Sequence, residues 1–427
     1  MKNRVRIREA ADVVVRTRPD CRMCGSKRLV KVWSFGETPL ANAYLKPEDI
    51  GRGEEEPFVP LDVYYCQNCH LVQLRDVVDP DVLFENYLYV SSTSPSFVKH
   101  FEDYAGHLID RFKLNAESLV VDVGSNDGIL LKPLKVTGIQ TLGIDPAENV
   151  AAAANADGIE TLAEYFTPPV AERCAKQYGR ASVITANNVF AHTDDVGMFV
   201  EAVKQLLLPD GVFVFEVQYL GDLIAKNLFD IVYHEHVCYY SVYPLVKFFE
   251  KKGMEVFDVE RPPVHGGSLR VYVQFKGGLL DRPSERVTEI LHEEKVQALT
   301  TLAPYQQFAA RVASNKEKLQ QILQGIKSEG GRVVGYGAPA KATTLCYALE
   351  IDGGTLDFIV DDAELKQGLV MPGTHIPIVP AERLYEDRPD YCLILAWNFA
   401  EPIMKNHQRF VDQGGRFIIP VPEPKIV

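Results

Sequence analysis

Short β-branched apolar runs alternate with helical periodicities through most of this chain. SLVVDVG (118–124) is a buried-strand run ending on glycine, and TLGIDP (141–146), ASVITANNVF (181–190) and GVFVFEVQ (211–218) have the same form. Between them NVAAAANADG (149–158) and DDVGMFVEAVKQLL (194–207) read as helices. Alternation at this spacing requires right-handed crossovers, which predicts a mainly parallel sheet with helices on both faces. MEVFDVERPPVHGGSLRVYVQF (254–275) reads as two strands that close the block as an antiparallel hairpin. A long helical region follows, through residue 330, and the alternation then returns. GRVVGYGAPAKATTLCYALE (331–350) is strand, glycine turn and helix, with further strands in LDFIVDD (356–362), DYCLILAWN (390–398) and GRFIIPVP (415–422). The first 85 residues differ, being rich in turn residues and carrying a charged loop, GRGEEEP (51–57). The pattern predicts an α/β chain in three units: a small N-terminal domain over 1–85, a three-layer α/β unit over 86–277, and a second, smaller one over 278–427.

Composition narrows the class. The chain has 427 residues, 46% hydrophobic and 24% charged, an ordinary globular balance. Its formal net charge of −13 argues against a general nucleic-acid binder, which needs a basic face, but leaves room for a local basic pocket for one anion. The N-terminus lacks a signal-peptide core, and no run approaches the roughly 20 apolar residues of a membrane span. A cytoplasmic protein with no membrane or nucleic-acid partner is expected. A monomer is plausible, since three domains can cover one another.

Eight cysteines are few for a disulfide scaffold, and their placement matters more. Cys174, Cys238, Cys346 and Cys392 are scattered and read as small core residues. Cys21-Arg22-Met23-Cys24 and Cys66-Gln67-Asn68-Cys69 are two C-x-x-C knuckles, which can place four thiolates tetrahedrally about Zn²⁺. A redox pair would need no matching partner, and neither pair opens a βαβ helix. Four thiolates leave no open coordination position, so the expected zinc is structural. His70 is read as a neighbour, not a fifth ligand.

The turn VVDVGSNDGILL (120–131) lies between a strand and a helix, and its glycines, Gly124 and Gly128, let the backbone approach a ligand. Asp145 ends the next strand, where an acid can accept from ribose hydroxyls. NAD(P) and S-adenosylmethionine both fit this plan. A dinucleotide needs G-x-G-x-x-G around its pyrophosphate, whereas this turn carries Asp122 and Asp127, poor neighbours for phosphate but reasonable near a sulfonium and an amino group. S-adenosylmethionine is favoured, with Asp122, Gly124, Asn126, Gly128, Asp145 and Asn187 as candidate contacts.

Phe229-Asp230-Ile231-Val232-Tyr233-His234-Glu235-His236 follows the strand GVFVFEVQ and a short helix, placing it at the sheet edge where active sites form. Its histidines, glutamate and tyrosine can act as general acids or bases. The bland alternative is a solvated polar loop. A metal reading is weaker, because H-E-H is not the helical H-E-x-x-H. His192 follows another strand onto the same edge. Glu216, Gln218 and Tyr219 rank below these. In the last block Gly335-Tyr336-Gly337-Ala338-Pro339-Ala340-Lys341 suggests a phosphate-cradling turn, with Asp361 and Asp362 ending the next strand. Pro339 and a missing third glycine weaken a second dinucleotide site. Contact with a substrate diphosphate through Tyr336, Gly337 and Lys341 is preferred, with Arg270 as a further candidate. A purely folding role for Lys341 and Arg270 is the alternative.

Taken in order, the twin C-x-x-C head, ENYLYVSSTS (85–94), VDVGSNDG, NNVFAH, FEVQYL, YHEHVCYYS, HGGSLRVY and GYGAPAK cover nearly the whole chain. In these the chain resembles the three-domain C-methyltransferases of nucleotide-linked 4-keto-deoxysugars. The resemblance implies a zinc-binding N-terminal domain, a class I methyltransferase domain and a C-terminal Rossmann-like domain, with substrate between the last two. It implies that Tyr87, His192, Tyr233, Glu235 and His236 line the reaction centre; among these, His236 is the expected base, since a carbon beside a ketone must lose a proton to a neutral imidazole. It also implies S-adenosylmethionine as donor and a keto-deoxysugar, carried on dTDP, as acceptor. The family contains members acting at C3 and a few at C5, and C3 is the expectation taken here. The competing classes are an NAD(P)-dependent nucleotide-sugar oxidoreductase or epimerase, against which counts the lack of an evident Tyr-x-x-x-Lys pair at a suitable strand end, and a zinc-ribbon binding module on an inert α/β scaffold.

Overall fold

A computed structural model describes residues 15–51, 56–84, 92, 95–264, 266–278, 280 and 283–427. The apolar runs become the strands of two Rossmann-like sheets. The larger has seven strands in the order Met254–Glu260, Ser268–Phe275, Leu207–Gln218, Ala181–Asn187, Leu119–Val123, Gln140–Ile144, Thr161–Leu162. Ser268–Phe275 is antiparallel to both its neighbours, and the remaining pairings are parallel. Leu119–Val123 is buried at every position, as a central strand with helices on both faces must be. The chain order reverses between Leu119–Val123 and Ala181–Asn187. That switch point opens a crevice at the carboxyl ends of the strands.

The smaller sheet runs Ile378–Val379, Ile359–Val360, Val333–Tyr336, Tyr391–Ile394, Arg416–Ile419, Lys425–Ile426, with only the last pairing antiparallel. Thr161–Leu162, Ile378–Val379 and Lys425–Ile426 have only two residues each, too short to carry a periodic signal.

The units pack across both expected boundaries. The N-terminal unit is built on the hairpin Leu29–Pro39 and Phe58–Cys66 with Val72–Leu74, but the edge strand of this sheet is Cys238–Tyr239, from the middle of the chain. The helix Glu285–Val296, expected with the last block, turns Val287 and Ile290 into the core of the seven-stranded sheet. The next helix, Ala303–Ser328, sets Phe308 against Trp33 of the N-terminal sheet, with ring centroids 4.9 Å apart, and buries Leu319, Leu323 and Ile326 in the core under the smaller sheet. The three units thus share interior surfaces. No helix among the described residues is long and apolar enough to cross a membrane.

Candidate active site and metal centre

The four paired cysteines come together as the spacing requires. The sulfurs of Cys21, Cys24, Cys66 and Cys69 lie within 4.8 Å of one another, with Cys21–Cys69 at 3.4 Å and Cys24–Cys66 at 3.7 Å. A tetrahedron with Zn–S bonds of about 2.3 Å has edges of about 3.8 Å, so the cluster is the size of a ZnS₄ site. Each knuckle ends in a left-handed residue, Gly25 (φ 67°) and His70 (φ 69°). The amide of Gly25 donates to the Cys21 carbonyl and that of His70 to Cys66, which tightens both turns. The His70 ring meets the Tyr65 hydroxyl through Nδ1. Asn68 donates from its backbone to the Cys66 sulfur and from its side chain to the Cys24 sulfur, both at 3.4 Å, as a thiolate site favours.

At the switch point the first glycine turn holds Gly124 at φ 66° and Gly128 at φ 79°. A Cβ on Gly124 would sit 2.2 Å from Val189 Cγ2, so only glycine fits. Asp122 ends the central strand under the turn. Its carboxylate accepts from Thr185 Oγ1 at 2.6 Å and from Asn187 Nδ2 at 3.3 Å, and burial pushes its carboxyl up to about 7. Asp145 accepts from the amides of Asn126 at 2.8 Å and Ala147 at 2.9 Å, which fixes the carboxylate while each oxygen keeps a second lone pair. Among the described residues, Ser125 Oγ, Asp127 Oδ1 and Asn187 Oδ1 are buried without a hydrogen-bond partner. Buried polar atoms are rarely left so, and this cradle has the unmet capacity a polar cofactor completes. Three acids around it suit a cationic ligand better than a pyrophosphate.

The second cluster lies on the same sheet edge. Asn188, Gln218, His236 and Tyr239 line a small cavity at the ends of the strands Ala181–Asn187 and Leu207–Gln218. The His236 ring is 5.0 Å from that of His192 and 4.1 Å from that of Tyr233, centroid to centroid. His236 Nδ1 is 2.7 Å from the carbonyl oxygen of Ile231. A carbonyl only accepts, so Nδ1 carries the proton and the basic lone pair of the neutral ring is on Nε2. Burial, then the nearby His236, holds His192 well below the usual imidazole range, so it stays neutral. Phe84 stacks on His192 at 5.5 Å. Glu235 is buried, and its Oε1 accepts from Asn42 Nδ2 at 2.6 Å. His234 turns away: its Nε2 donates to the Val59 carbonyl at 3.1 Å, tying the loop to the N-terminal sheet. Tyr87 lies outside the described residues, as does the ENYLYVSSTS motif except Ser92, whose hydroxyl donates to Asp127, and as does His265 of HGGSLRVY.

The expected diphosphate contacts each have protein partners. Lys341 reaches Asp230 at 3.5 Å and lies 4.2 Å from the Trp397 ring centroid. Tyr336 packs in the core of the smaller sheet and donates to Asp362 at 2.9 Å, with His407 Nε2 at 2.7 Å. Gly337, at φ 83°, makes the tight turn, but the carbonyl of the next residue, Ala338, accepts from Tyr44 of the N-terminal unit at 2.5 Å and from Lys366 at 2.7 Å. Ala338 is therefore buried under protein, while Pro339, Ala340 and Lys341 remain partly exposed. Arg270 is paired with Glu216 and Glu260 and stacked 3.6 Å from the Tyr104 ring centroid, so its charge is already matched. The sequence reading missed Asn42, Tyr44 and Lys366, and it passed over Asp230, whose side chain is fully buried. Their partners are distant in sequence, and no local spacing marks them.

Comparison with known proteins finds three family matches along the chain. Residues 21–84 match a family described as a zinc binding domain, 97–259 a methyltransferase domain, and 263–422 the C-methyltransferase C-terminal domain. The C-methyltransferase NovU of Streptomyces niveus is 39% identical over 415 residues, covering 97% of this chain and 98% of that protein. The ubiquinone biosynthesis O-methyltransferase of Bradyrhizobium diazoefficiens is 33% identical over 113 residues, covering 24% of this chain and 44% of that protein. The crystal structure of magnesium protoporphyrin IX methyltransferase from Synechocystis superposes with a TM-score of 0.32 at 13% identity, over 41% of this chain and 78% of that one, too low a likeness to bear on the argument.

Proposed function

This chain belongs to the C-methyltransferase family of the Streptomyces niveus protein, and we propose that it methylates a nucleotide-linked 4-keto-deoxysugar at C3, beside the ketone, in branched-deoxysugar biosynthesis. It is an S-adenosylmethionine-dependent C-methyltransferase with a structural zinc. Bound S-adenosylmethionine supplies an electrophilic methyl group on sulfur. Asp122, Gly124, Asn126, Gly128, Asp145 and Asn187 are the residues proposed to hold it.

Carbon is a poor nucleophile until a proton is removed. A ketone acidifies the adjacent C–H because the electron pair left behind delocalises onto oxygen. The protein must therefore present a neutral base to that carbon and donors to the enolate oxygen. His236 fits the base role: the proton passes to Nε2 while Nδ1–H stays on the Ile231 carbonyl. That hydrogen bond is the observation that carries the reading, because it selects the tautomer a base requires. Tyr233, whose ring packs on His236, and neutral His192 are the proposed donors or positioners, and Tyr87 is proposed with them on the resemblance alone. Glu235, whose Oε1 accepts from Asn42, is assigned to a sugar hydroxyl. The burial of Ala338 disfavours a dinucleotide at that turn, and with it an oxidoreductase or epimerase.

The test is mass spectrometry of a reaction with S-adenosylmethionine and a dTDP-linked 4-keto-deoxysugar in deuterated water. The expected product is the sugar heavier by one methyl group, with S-adenosylhomocysteine. His236→Asn should bind both ligands yet neither exchange nor methylate. Wild-type turnover in that variant would remove His236 from the base role.

A further inference from the structure

The segment that carries His236 is gripped from the C-terminal unit at two residues, and the residue between them supplies the carbonyl that sets the histidine's tautomer. Asp230 is fully buried. Its Oδ2 accepts from the indole Nε1 of Trp397 and faces Lys341 Nζ at 3.5 Å. Lys341 in turn lies over the Trp397 ring, so the three side chains form one closed cluster. Two residues on, the Val232 carbonyl accepts from Thr344 Oγ1 at 2.7 Å. Lys341 and Thr344 both belong to the helix Ala340–Leu349. Between these two anchors lies Ile231, whose carbonyl accepts from His236 Nδ1.

We propose that Asp230, clamped by Lys341 and Trp397, is a positioning residue that aims the Ile231 carbonyl at His236 and so keeps the basic lone pair on Nε2. Lys341, which the sequence suggested for a phosphate, is assigned instead to this clamp. The inference rests on His236 being the base. A buried ion pair adds little net stability, but removing one partner strands a charge in the interior. Loss of Lys341 therefore leaves the buried Asp230 carboxylate without its cation and drives its segment to shift, which loosens the carbonyl. Reacting groups displaced by about 1 Å can lose roughly a hundredfold in rate, so even a fraction of that movement is measurable.

Two readouts on the full-length, zinc-loaded protein test this. The first is kcat and KM for the nucleotide keto-sugar. Lys341→Met should lower kcat about tenfold or more and leave KM within about twofold, and Lys341→Arg, which keeps the charge, should recover most of the loss. The second needs no substrate: ¹⁵N NMR of labelled histidine, with the His236 signal assigned by its absence in His236→Asn. Wild type should show one tautomer protonated at Nδ1, and Lys341→Met a mixture. Trp397→Phe keeps the ion pair but loses the indole donor, and it should move both readouts the same way should Lys341→Met not fold. A KM raised tenfold or more with kcat and tautomer unchanged would overturn the proposal in favour of a diphosphate contact, and so would no change in either readout. If the wild-type protein methylates no keto-sugar, the substrate reading fails, while the NMR comparison still decides the clamp.

Discussion

The closest steric fit in the cofactor turn is between Gly124 and Val189, and Gly124→Ala tests what it does. Gly124 sits at φ 66°, and the new Cβ would lie 2.2 Å from Val189 Cγ2 and 3.3 Å from its Cβ. The left-handed conformation costs an L-residue about 1–2 kcal/mol. Overpacking adds about 1–3 kcal/mol. The stiffer unfolded chain returns about 0.4–1 kcal/mol, leaving a net loss of about 1–5 kcal/mol. The clash also has a direction. Val189 accepts the His192 amide at 2.8 Å and so begins the turn Phe190–His192. Pushing Val189 aside moves His192 against His236. Gly124→Ala should therefore weaken S-adenosylmethionine binding and lower kcat together. The steric share is separable by Val189→Ala, which removes the colliding methyl but leaves the φ term. Calorimetric titration with S-adenosylmethionine and thermal melts of both singles and the double variant form the cycle. The double should be less damaged than the sum of the singles by about 1–3 kcal/mol. Strict additivity would refute the steric argument, and a Gly124→Ala protein with unchanged melting and affinity would refute both terms.

Three other outcomes are expected. Elemental analysis should find one zinc per chain, lost in Cys66→Ser, and chelation should lower turnover as well as stability, because the sheet the zinc fastens is completed by Cys238–Tyr239 beside His236; a metal-free protein with full turnover would contradict this. Asp122 has its folded pKa raised to about 7, from an ordinary value of about 3.9. The cofactor-free protein should then lose stability as pH rises from about 4 to about 7, and Asp122→Asn should melt above wild type at pH 8, with the gap closing toward pH 4; a gap independent of pH would refute the burial argument. Asn42→Ala removes the donor to Glu235 and should cut turnover about tenfold with S-adenosylmethionine affinity unchanged; unaltered steady-state kinetics would show that Glu235 is held by other means.

What the sequence made legible is what short-range patterns encode. The strands Leu119–Val123, Ala181–Asn187 and Leu207–Gln218 were visible because each is a continuous apolar run, and the zinc ligands because each knuckle is four residues long. Asn42 with Glu235, Tyr44 with Ala338 and Trp397 with Asp230 are contacts across 193, 294 and 167 residues, and nothing local marks either partner. Lys341 has a partner that its own local pattern does not mark. Gly-Tyr-Gly-Ala-Pro-Ala-Lys has the look of a phosphate turn, and nothing in it shows that the lysine ammonium lies 3.5 Å from Asp230 of another unit. Arg270 is similar, since the strand register that sets it opposite Glu216 is a tertiary fact.

These long-range contacts explain why three units are needed for a site whose chemistry lies in a few residues. The segment 230–239 belongs by sequence to the middle unit, yet that unit does not hold it alone. Asp230 and Val232 are held from the C-terminal unit, while His234 and Glu235 are held by Val59 and Asn42 of the N-terminal unit, and Cys238–Tyr239 completes that unit's sheet. Phe58–Cys66 carries Val59 near one end and the zinc-ligating Cys66 at the other, so the metal fixes the strand on which His234 rests. A base must be held far more firmly than a loop at a sheet edge is held by its own backbone. On the proposed mechanism, anchoring the segment from both flanks supplies that rigidity and links the zinc to His236 without any open coordination position.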